Sequence, residues 1–407
     1  MKKIYIFIII VFFVSTVYAD IYYAGLPGTF LNWGAGARSL GMGKAFVGLS
    51  GDSTSTYWNP AGLSSLLTGE ITALHAFLFE GTNYDFISYA QPIGNLGGVG
   101  LGVVVLSSTG FEETDQYGVI DSFYDVESGV LLSYGMNVLK DLSLGSTFKI
   151  VYQQILSYRG VGAGLDIGLL YKPFEFLNLG CNIQNVIAPQ VKLKDEIDTY
   201  PLNFRFGVAL KLLSGSLSLS NDIEKTLTSP FKFHVGMEYW LCPFLGIRGG
   251  IDDSEITGGI GLTYKGYSLD YAIASQSLGI SHRVSFTWTF SMFTVEIESI
   301  PKVFSPFGTK KEVEIKLKGG SKFGISRWEL NIKDKAGNVV RKFEGRKQKV
   351  PPSIMWDGKD SKGNYVPDGR YSIELVVVNR IGGIDTATDS VQIETSLPGT
   401  NIQMEIR

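Results

Sequence analysis

The chain has 407 residues, a formal net charge of −3 at pH 7, and 44% hydrophobic and 13% aromatic residues. A protein without a surplus of basic residues is poorly suited to bind phosphate backbones, so we expect no nucleic-acid partner. The two cysteines, Cys181 and Cys242, are too few for a disulfide framework. The three histidines are scattered and lack neighbouring ligands at metal-site spacing, so the sequence predicts no metal and no cofactor.

Residues 1–19 predict a secretory signal peptide. Two lysines precede an apolar run from Ile4 to Val14, and small residues lead to a cleavage site at Ala19. No later segment offers the roughly 18 uninterrupted apolar residues that a transmembrane helix requires. The chain is therefore predicted to be exported, and to enter a membrane only as strands.

A glycine-rich stretch, GAGARSLGMGKAFVGLSGDSTSTYWNPAGLSSL, fills residues 34–66. It is not a phosphate-binding loop, because that motif requires a glycine where Arg38 stands and a hydroxyl residue where Ala45 stands. Its glycines allow close backbone approach. Near its end, Asn59 can cap a turn that Pro60 opens at the first position.

Residues 69–291 alternate hydrophobic and polar side chains at period two, with hardly a window of helical periodicity. In SHRVSFTWTF, for example, Val284, Phe286 and Trp288 alternate with Ser285 and Thr287. We count fourteen such segments, which start near residues 69, 83, 97, 126, 141, 161, 176, 200, 215, 229, 244, 256, 267 and 281. Aromatic-rich segments of about ten residues are typical of transmembrane barrel strands, and an even number returns the chain to its starting side. The alternative is a soluble all-β protein, although its sheets would carry more Lys and Glu on one face.

The connections between these segments differ in length on the two sides of the predicted barrel. Two long loops, residues 108–125 and 187–199, fall on the side predicted to be external, and the internal connections are tight turns. Charged residues on the polar phase of the strands are predicted to face the lumen, where they either select a solute or solvate the interior. These residues are Lys149, Asp166, Arg205, Asp222, Glu238, Arg248 and Asp270.

The stretch GARSLGMGKAFVGLSGDSTSTYWNPAGLSSL resembles the N-terminal signature of the PorV/PorQ outer-membrane proteins, members of the wider FadL-type superfamily of fatty-acid and aromatic-hydrocarbon transporters. The resemblance implies an all-β protein: a 14-stranded antiparallel transmembrane β-barrel in the cell outer membrane, with residues 20–68 folded into the lumen as a plug. Close-packed glycines and a capped turn suit such a crowded place. The alternative is an appendage that stays outside the barrel. The residues assigned to the plug motif are Gly41, Gly43, Trp58, Asn59, Pro60 and Ala61.

A second β pattern occupies residues 304–396, between a predicted linker at residues 292–303 and a tail at residues 397–407. Its segment WDGKDSKGNYVPDGRYSIEL resembles the immunoglobulin-like module of the flagellar hook-capping family, which implies a small β-sandwich and no activity of its own. Three aspartates in this region lack the spacing of a calcium loop, so we expect them to be turn residues. They are Asp357, Asp360 and Asp368.

Charge also separates the two regions. Residues 20–303 carry 16 Lys and Arg against 26 Asp and Glu, whereas residues 304–407 carry 18 against 13. Because an even number of strands returns the chain to its starting side, the sandwich is predicted to lie in the periplasm. There its basic surface would dock on an acidic periplasmic protein or on the cell wall, or the domain would act as a spacer without a ligand.

Two functions follow from the resemblance. The PorV-like motif predicts a type IX secretion component that handles secreted cargo proteins at the outer membrane. The FadL superfamily predicts instead a passive outer-membrane transporter of hydrophobic solutes such as long-chain fatty acids. No nucleophile, base and acid cluster in the sequence, so we expect no enzyme and no catalytic residue. Outer-membrane lipid and the barrel-assembly machinery are expected partners in either case, because the aromatic end of the last strand at Phe290 resembles an assembly signal.

Overall fold

The computed structural model describes residues 26–395, apart from residues 80, 228, 277–278, 291–292, 309, 322–323, 347–348 and 381–383. The predicted signal peptide and the predicted tail lie outside the described residues. The chain divides into two units, a plugged barrel that ends at Phe290 and a β-sandwich that follows it. Among the described residues, no helix is both long and apolar enough to cross a membrane.

Fourteen antiparallel strands form a closed barrel, because β1 pairs with β2 on one side and with β16 on the other. The barrel strands are β1 (Gly69–Phe79), β2 (Thr82–Pro92), β3 (Gly98–Asp115), β4 (Gly118–Leu139), β5 (Leu142–Ile155), β6 (Tyr158–Phe174), β7 (Leu177–Ile187), β10 (Asn203–Leu212), β11 (Leu217–Thr226), β12 (Phe231–Cys242), β13 (Leu245–Asp252), β14 (Glu255–Tyr264), β15 (Tyr267–Gln276) and β16 (Gly279–Phe290). The predicted fold class is confirmed. Every predicted strand start except that of β4 lies within three residues of the observed one.

The barrel wall follows the period-two pattern of the sequence. In β16, Val284, Phe286 and Trp288 are exposed on the outer surface, whereas Ser285 on the same strand is buried. Alternate side chains of a strand point to opposite faces, so the polar phase of β16 faces the lumen. We call the end where β1 begins and β16 ends the proximal end, and the opposite end the distal end.

The prediction of a long loop at residues 108–125 is wrong. β3 and β4 continue past their neighbours and meet at a turn after Asp115. Phe111 lies opposite Phe123, with ring centroids 5.2 Å apart. Register shifts after Ser108 and Glu113 interrupt the period-two pattern, and the acidic residues between them gave the segment the composition of a loop.

The second predicted loop, residues 187–199, contains a small hairpin of β8 (Gln190–Lys192) and β9 (Ile197–Thr199). Val191 of β8 is fully buried and belongs to the hydrophobic core that the plug and the barrel wall share. This connection therefore folds against the lumen at the distal end. A three-residue strand is too short for the alternation pattern to reveal.

The plug consists of short elements inside the barrel. It contains two single-turn α-helices, α1 (Ala37–Leu40) and α2 (Ser55–Trp58), and 3-10 turns at Thr29–Asn32 and Pro60–Ser65; further 3-10 turns lie in barrel connections at Gly94–Leu96 and Leu213–Gly215. Phe30, Met42 and Trp58 are among its fully buried side chains. They pack with inward-facing wall residues such as Leu74 and Val104 in one core.

The sandwich has two sheets. Its strands are β17 (Phe293–Ile300), β18 (Val303–Phe304), β19 (Val313–Ser321), β20 (Ile325–Lys333), β21 (Val339–Arg346), β22 (Ser353–Trp356), β23 (Gly369–Asn379) and β24 (Ile384–Ile393). One sheet has the order β17-β19-β22 and the other β18-β24-β23-β20-β21. Trp356 and Tyr371 pack edge to face in the core, with ring centroids 5.5 Å apart.

The predicted linker at residues 292–303 is wrong over most of its length. Residues 293–300 form β17, which pairs with β19 along its whole length. Phe293, Val295 and Ile297 pack against the sandwich core. Their alternation with Thr294 and the two glutamates is a strand pattern, which the nearby prolines obscured.

Two of the three predicted turn aspartates, Asp357 and Asp360, act in turns, whereas Asp368 accepts hydrogen bonds from the N–H and hydroxyl groups of the distant Thr395, both at 2.9 Å. Asp360 Oδ1 accepts hydrogen bonds from the backbone N–H groups of Asn364 and Lys362 at 2.9 and 2.8 Å. The hydrogen bond from Asn364, followed by that from Lys362, lowers the pKa of the Asp360 carboxyl. Asp357 Oδ1 accepts from the Lys359 N–H at 3.2 Å in a similar way. Such bonds hold a turn without a metal ion.

Candidate functional site

The plug turns at Asn59, whose side chain is fully buried. Its Oδ1 accepts a hydrogen bond from the Ala61 N–H at 3.2 Å, and its Nδ2 donates to the carbonyl oxygens of Val47 and Leu169 at 3.2 and 3.0 Å. Pro60 opens the next 3-10 turn at a position where no backbone donor is lost. The Asn59 amide therefore joins two parts of the plug to β6.

Trp58 lies at the centre of the lumen with 1% of its surface exposed. Its Nε1 donates to the Ala35 carbonyl oxygen at 2.8 Å. The Tyr57 ring contacts it edge to face at 5.0 Å, and the Arg205 guanidinium of the wall stands over it at 5.2 Å. The indole thus connects α2, the chain before α1 and β10.

The plug glycines bring backbone close to backbone. The Thr257 hydroxyl donates to the Gly41 carbonyl oxygen at 3.2 Å. Gly43 has a φ of 61°, and a Cβ placed on it would overlap the Ile251 backbone. Wall glycines match the plug in the same way, since a Cβ on any of them would overlap plug atoms; they include Gly98, Gly135, Gly145, Gly168, Gly180, Gly236 and Gly250.

One ion-pair cluster, whose wall residues Glu238 and Arg248 are buried and whose plug residue Arg38 is partly exposed, joins α1 to the wall near the proximal end. Arg38 donates to both oxygens of Glu238, from Nε at 2.9 Å and from Nη2 at 2.6 Å. Arg248 Nε donates to the same carboxylate at 2.8 Å, and its Nη1 donates to Asp270 at 2.6 Å. Buried charges are tolerated only when they are paired in this manner. The Glu238 carboxylate therefore lies between a plug cation and a wall cation.

A second cluster joins the plug to the wall through Lys44. Its Nζ lies 2.7 Å from an Asp252 oxygen. His234 lies between two carboxylates, 2.9 Å from Asp252 and 3.2 Å from Glu224. Arg205 pairs with Glu224 at the other end. Four wall residues on four adjacent strands, β10 to β13, thus form one network that ends on a plug lysine.

The remaining predicted lumen charges also have partners. Asp222 accepts hydrogen bonds from the Phe46 and Val47 N–H groups of the plug, both at 2.8 Å. Lys149 pairs with Asp166 at 2.7 Å. All seven residues of the predicted set are buried on the lumen side of the wall.

Sequence reasoning missed the partners of these residues. Glu224, His234 and Asp252 stand on the same strand phase as the predicted Asp222, Glu238 and Arg248, so extending the alternation would have found them. Two plug cations were also missed. They are Arg38 and Lys44, which follow no strand period because their segment is not a strand.

The barrel wall is irregular between β6 and β7. Leu165 pairs with Ile187 and Ile167 with Ile183, so three residues of β7 lie opposite one residue of β6. Asn185, in this bulge, has a φ of 61°. Its N–H donates to an Asp166 oxygen at 2.7 Å. The Lys149–Asp166 pair therefore supports a local interruption of the sheet.

Cavities lie beside the plug at both ends of the described part of the barrel. A cavity of about 40 Å³ at the distal end is lined by plug residues such as Leu31 and Tyr57 and by Asp166 and Asn185 of the irregular wall. A cavity of about 210 Å³ at the proximal end is lined by Arg38, by Arg248 and mostly by hydroxyl and carboxylate side chains. The distal cavity thus lies directly inside the bulge, and both cavities have charged side chains in their linings, among them Lys149 and Lys232 in the distal one.

The two units match different known proteins. Residues 305–380 match the family model of the FlgD Ig-like domain, which confirms the predicted hook-capping module. No curated protein matches the chain. The specific PorV/PorQ resemblance stays a prediction.

Among solved structures, the chain is similar to the CymD monoaromatic hydrocarbon channel, with 12% identity over 63% of this chain and 98% of that chain and a TM-score of 0.50. It is also similar to the toluene transporter TodX of P. putida (13% identity, 63% and 99% covered, TM-score 0.46). A FadL homologue of Pseudomonas aeruginosa matches at 11% identity, with 62% and 97% covered and a TM-score of 0.44. At such identities the likeness concerns the fold alone, which the first unit shares with the CymD channel.

Proposed function

We propose that the chain forms an outer-membrane channel for small hydrophobic solutes, which its plug closes to the free passage of ions. One observation carries the proposal: the plug fills the lumen of a closed barrel, and the cavity left at the distal end lies against an interrupted part of the wall. The fold relative CymD is named as a monoaromatic hydrocarbon channel, which supports this class of solute.

The surroundings of the bulge suit an apolar solute that leaves through the wall. Outside the bulge, a groove is lined by Val161, Ala163 and Ile187, and the two larger side chains are 62% and 59% exposed. The free energy of a hydrophobic molecule falls when it moves from water into such apolar surroundings. Both cavities have charged side chains in their linings, so it is the apolar groove outside the bulge that favours an apolar solute at the distal end.

The secretion hypothesis receives no support from the comparisons and stays a prediction. Monoaromatic hydrocarbons and long-chain fatty acids are the two solute classes we consider, and the name of the fold relative CymD favours the first. The proposal includes no catalytic step. The even strand number supports a periplasmic sandwich, and outer-membrane lipid and the assembly machinery are its other proposed partners.

Deleting Asn185 and Val186 tests the route through the wall. The deletion removes two residues, so it restores regular β6–β7 pairing without reversing the faces of β7. We expect uptake of a radiolabelled monoaromatic hydrocarbon by cells that depend on this protein to fall about tenfold, because the interruption is gone.

The matched control deletes Asp195 and Glu196, two exposed residues in the turn between β8 and β9. This variant should keep normal uptake. Both variants must show the heat-dependent gel migration of a folded barrel. Unchanged uptake after loss of the bulge, in a folded barrel, would refute the route through the wall.

A further inference from the structure

The hairpin of β3 and β4 rises beyond the strands on either side of it. β2 pairs with β3 only as far as Ser108, and the last backbone contact is the Thr109 N–H donating to the Gly81 carbonyl oxygen at 2.9 Å. β5 pairs with β4 only from Asp125 onward. We call residues 109–124 the distal ribbon. Within the described part of the chain, no strand pairs with the outer edge of β3 from Gly110 to Thr114.

The exposed side chains of the distal ribbon are apolar and acidic. Phe111, Val119 and Ile120 are 42%, 59% and 61% exposed. Glu112 and Asp121 are exposed carboxylates, and no lysine or arginine occurs in the sequence between Lys44 and Lys140. A two-stranded ribbon on its own is marginally stable in water. A further strand that pairs with the open edge would therefore stabilise this apolar ribbon.

The charge of the ribbon decides which strand can pair with it. Open strand edges pair readily with copies of themselves, and natural proteins prevent this with charged side chains. Two acidic ribbons facing each other would place like charges on opposite strands, which is destabilising. A strand with lysine or arginine opposite Glu112 and Glu113 would meet complementary charge instead.

From these observations we propose that the β3 edge of the distal ribbon is a docking site for an extended basic segment of a partner protein, which adds a strand to the barrel sheet. Backbone hydrogen bonds would supply affinity and the carboxylates would select the partner. The exposed Phe111 offers an apolar contact to alternate side chains of that strand. This interaction does not depend on the solute-channel proposal, since the ribbon lies beyond the plugged lumen.

The test measures binding of a fluorescent peptide of alternating lysine and valine, about eight residues long, to the full-length protein in neutral detergent. A second peptide replaces each valine with proline, which keeps the charge and prevents strand pairing. One protein variant replaces residues 110–123 with an Asn-Gly turn, and another combines Glu112→Gln, Glu113→Gln and Asp121→Asn. Gel migration before and after heating confirms that each barrel is folded.

We expect binding to weaken about tenfold or more with the proline peptide, with the shortened ribbon and with the neutralised ribbon. Equal binding of the proline peptide would mean charge attraction alone and would overturn the proposal. Equal binding to the shortened ribbon would place the peptide elsewhere, with the same consequence. A glutamate–valine peptide that binds as tightly as the lysine peptide would also overturn it.

Discussion

The two sides of the lumen hold the same plug by different physical means. On the β3–β7 side, plug residues 59–64 rest on wall glycines such as Gly135 and Gly145. On the β10–β15 side, glycines are present too, but Arg38 and Lys44 add ion pairs to Glu238 and Asp252. Between the described residues of the plug and of β3–β7 there is no ion pair. Close packing therefore holds the plug against the β3–β7 side, whereas ion pairs help to hold it against the β10–β15 side.

Removing the plug should produce the largest effect, because it removes both kinds of contact. Deletion of residues 20–66 takes out the elements from Thr29–Asn32 through Pro60–Ser65 and removes the plug's part of the shared core. We expect single-channel conductance in planar bilayers to rise strongly, since an unfilled barrel of this size encloses a water path. A folded deletion variant that conducts no better than the intact protein would show that the plug does not close the channel.

The next largest effect should come from a substitution on the β3–β7 side, where close packing holds the plug. In Gly145→Val, the new side chain would overlap the backbone of Pro60 and Ala61. Overpacking of this kind costs about 1–3 kcal/mol or more, so we expect the 59–64 segment to leave the wall. Protease sensitivity of the plug and higher conductance would report it.

Gly249→Val is the matched control for that substitution. It also places valine in a barrel strand, but no atom lies within 4 Å of its Cβ position. It should leave both measurements unchanged. If Gly145→Val and Gly249→Val behave alike, shape complementarity is not what holds this side of the plug.

On the β10–β15 side, Glu238→Gln should loosen the plug by removing the carboxylate that pairs with Arg38. The amide cannot neutralise the buried Arg248 guanidinium or the partly exposed Arg38 guanidinium that meet at this carboxylate. Breaking a buried pair by removing one partner costs about 3–5 kcal/mol. We expect the barrel to lose its heat-resistant gel migration at a lower temperature than the wild type.

Glu196→Gln provides the control, because Glu196 is exposed in the turn between β8 and β9. Exposed carboxylates contribute about 0–1 kcal/mol, so this variant should match the wild type. An unchanged transition in Glu238→Gln would mean that α1 is held by packing alone, as on the opposite side.

The sequence predicted the barrel well because its alternation is a local property repeated in every strand. The phase of that alternation also led to Glu238 and Arg248 as lumenal residues. It could not show that Arg38 is the plug partner of Glu238, since this contact joins residues 200 positions apart. The distal ribbon was missed for another reason. Register shifts interrupt its period, and its carboxylates give it a loop-like composition.

The smallest effect should come from exchanging the two plug cations, which separates geometry from charge. Arg38 binds both oxygens of Glu238 through a planar fork, whereas Lys44 makes a single contact with Asp252 at 2.7 Å. Arg38→Lys keeps the charge but loses one of the paired hydrogen bonds, which contributes about 1 kcal/mol.

We therefore expect Arg38→Lys to lower the temperature of the gel-migration transition slightly, and Glu238→Gln to lower it more. Lys44→Arg keeps the charge at a site where one donor is sufficient, so it should have the weaker effect of the two exchanges. Because an arginine is longer than a lysine, a large loss in Lys44→Arg would indicate that shape limits the charged side as well. In that case the difference between the two sides of the lumen would be one of degree.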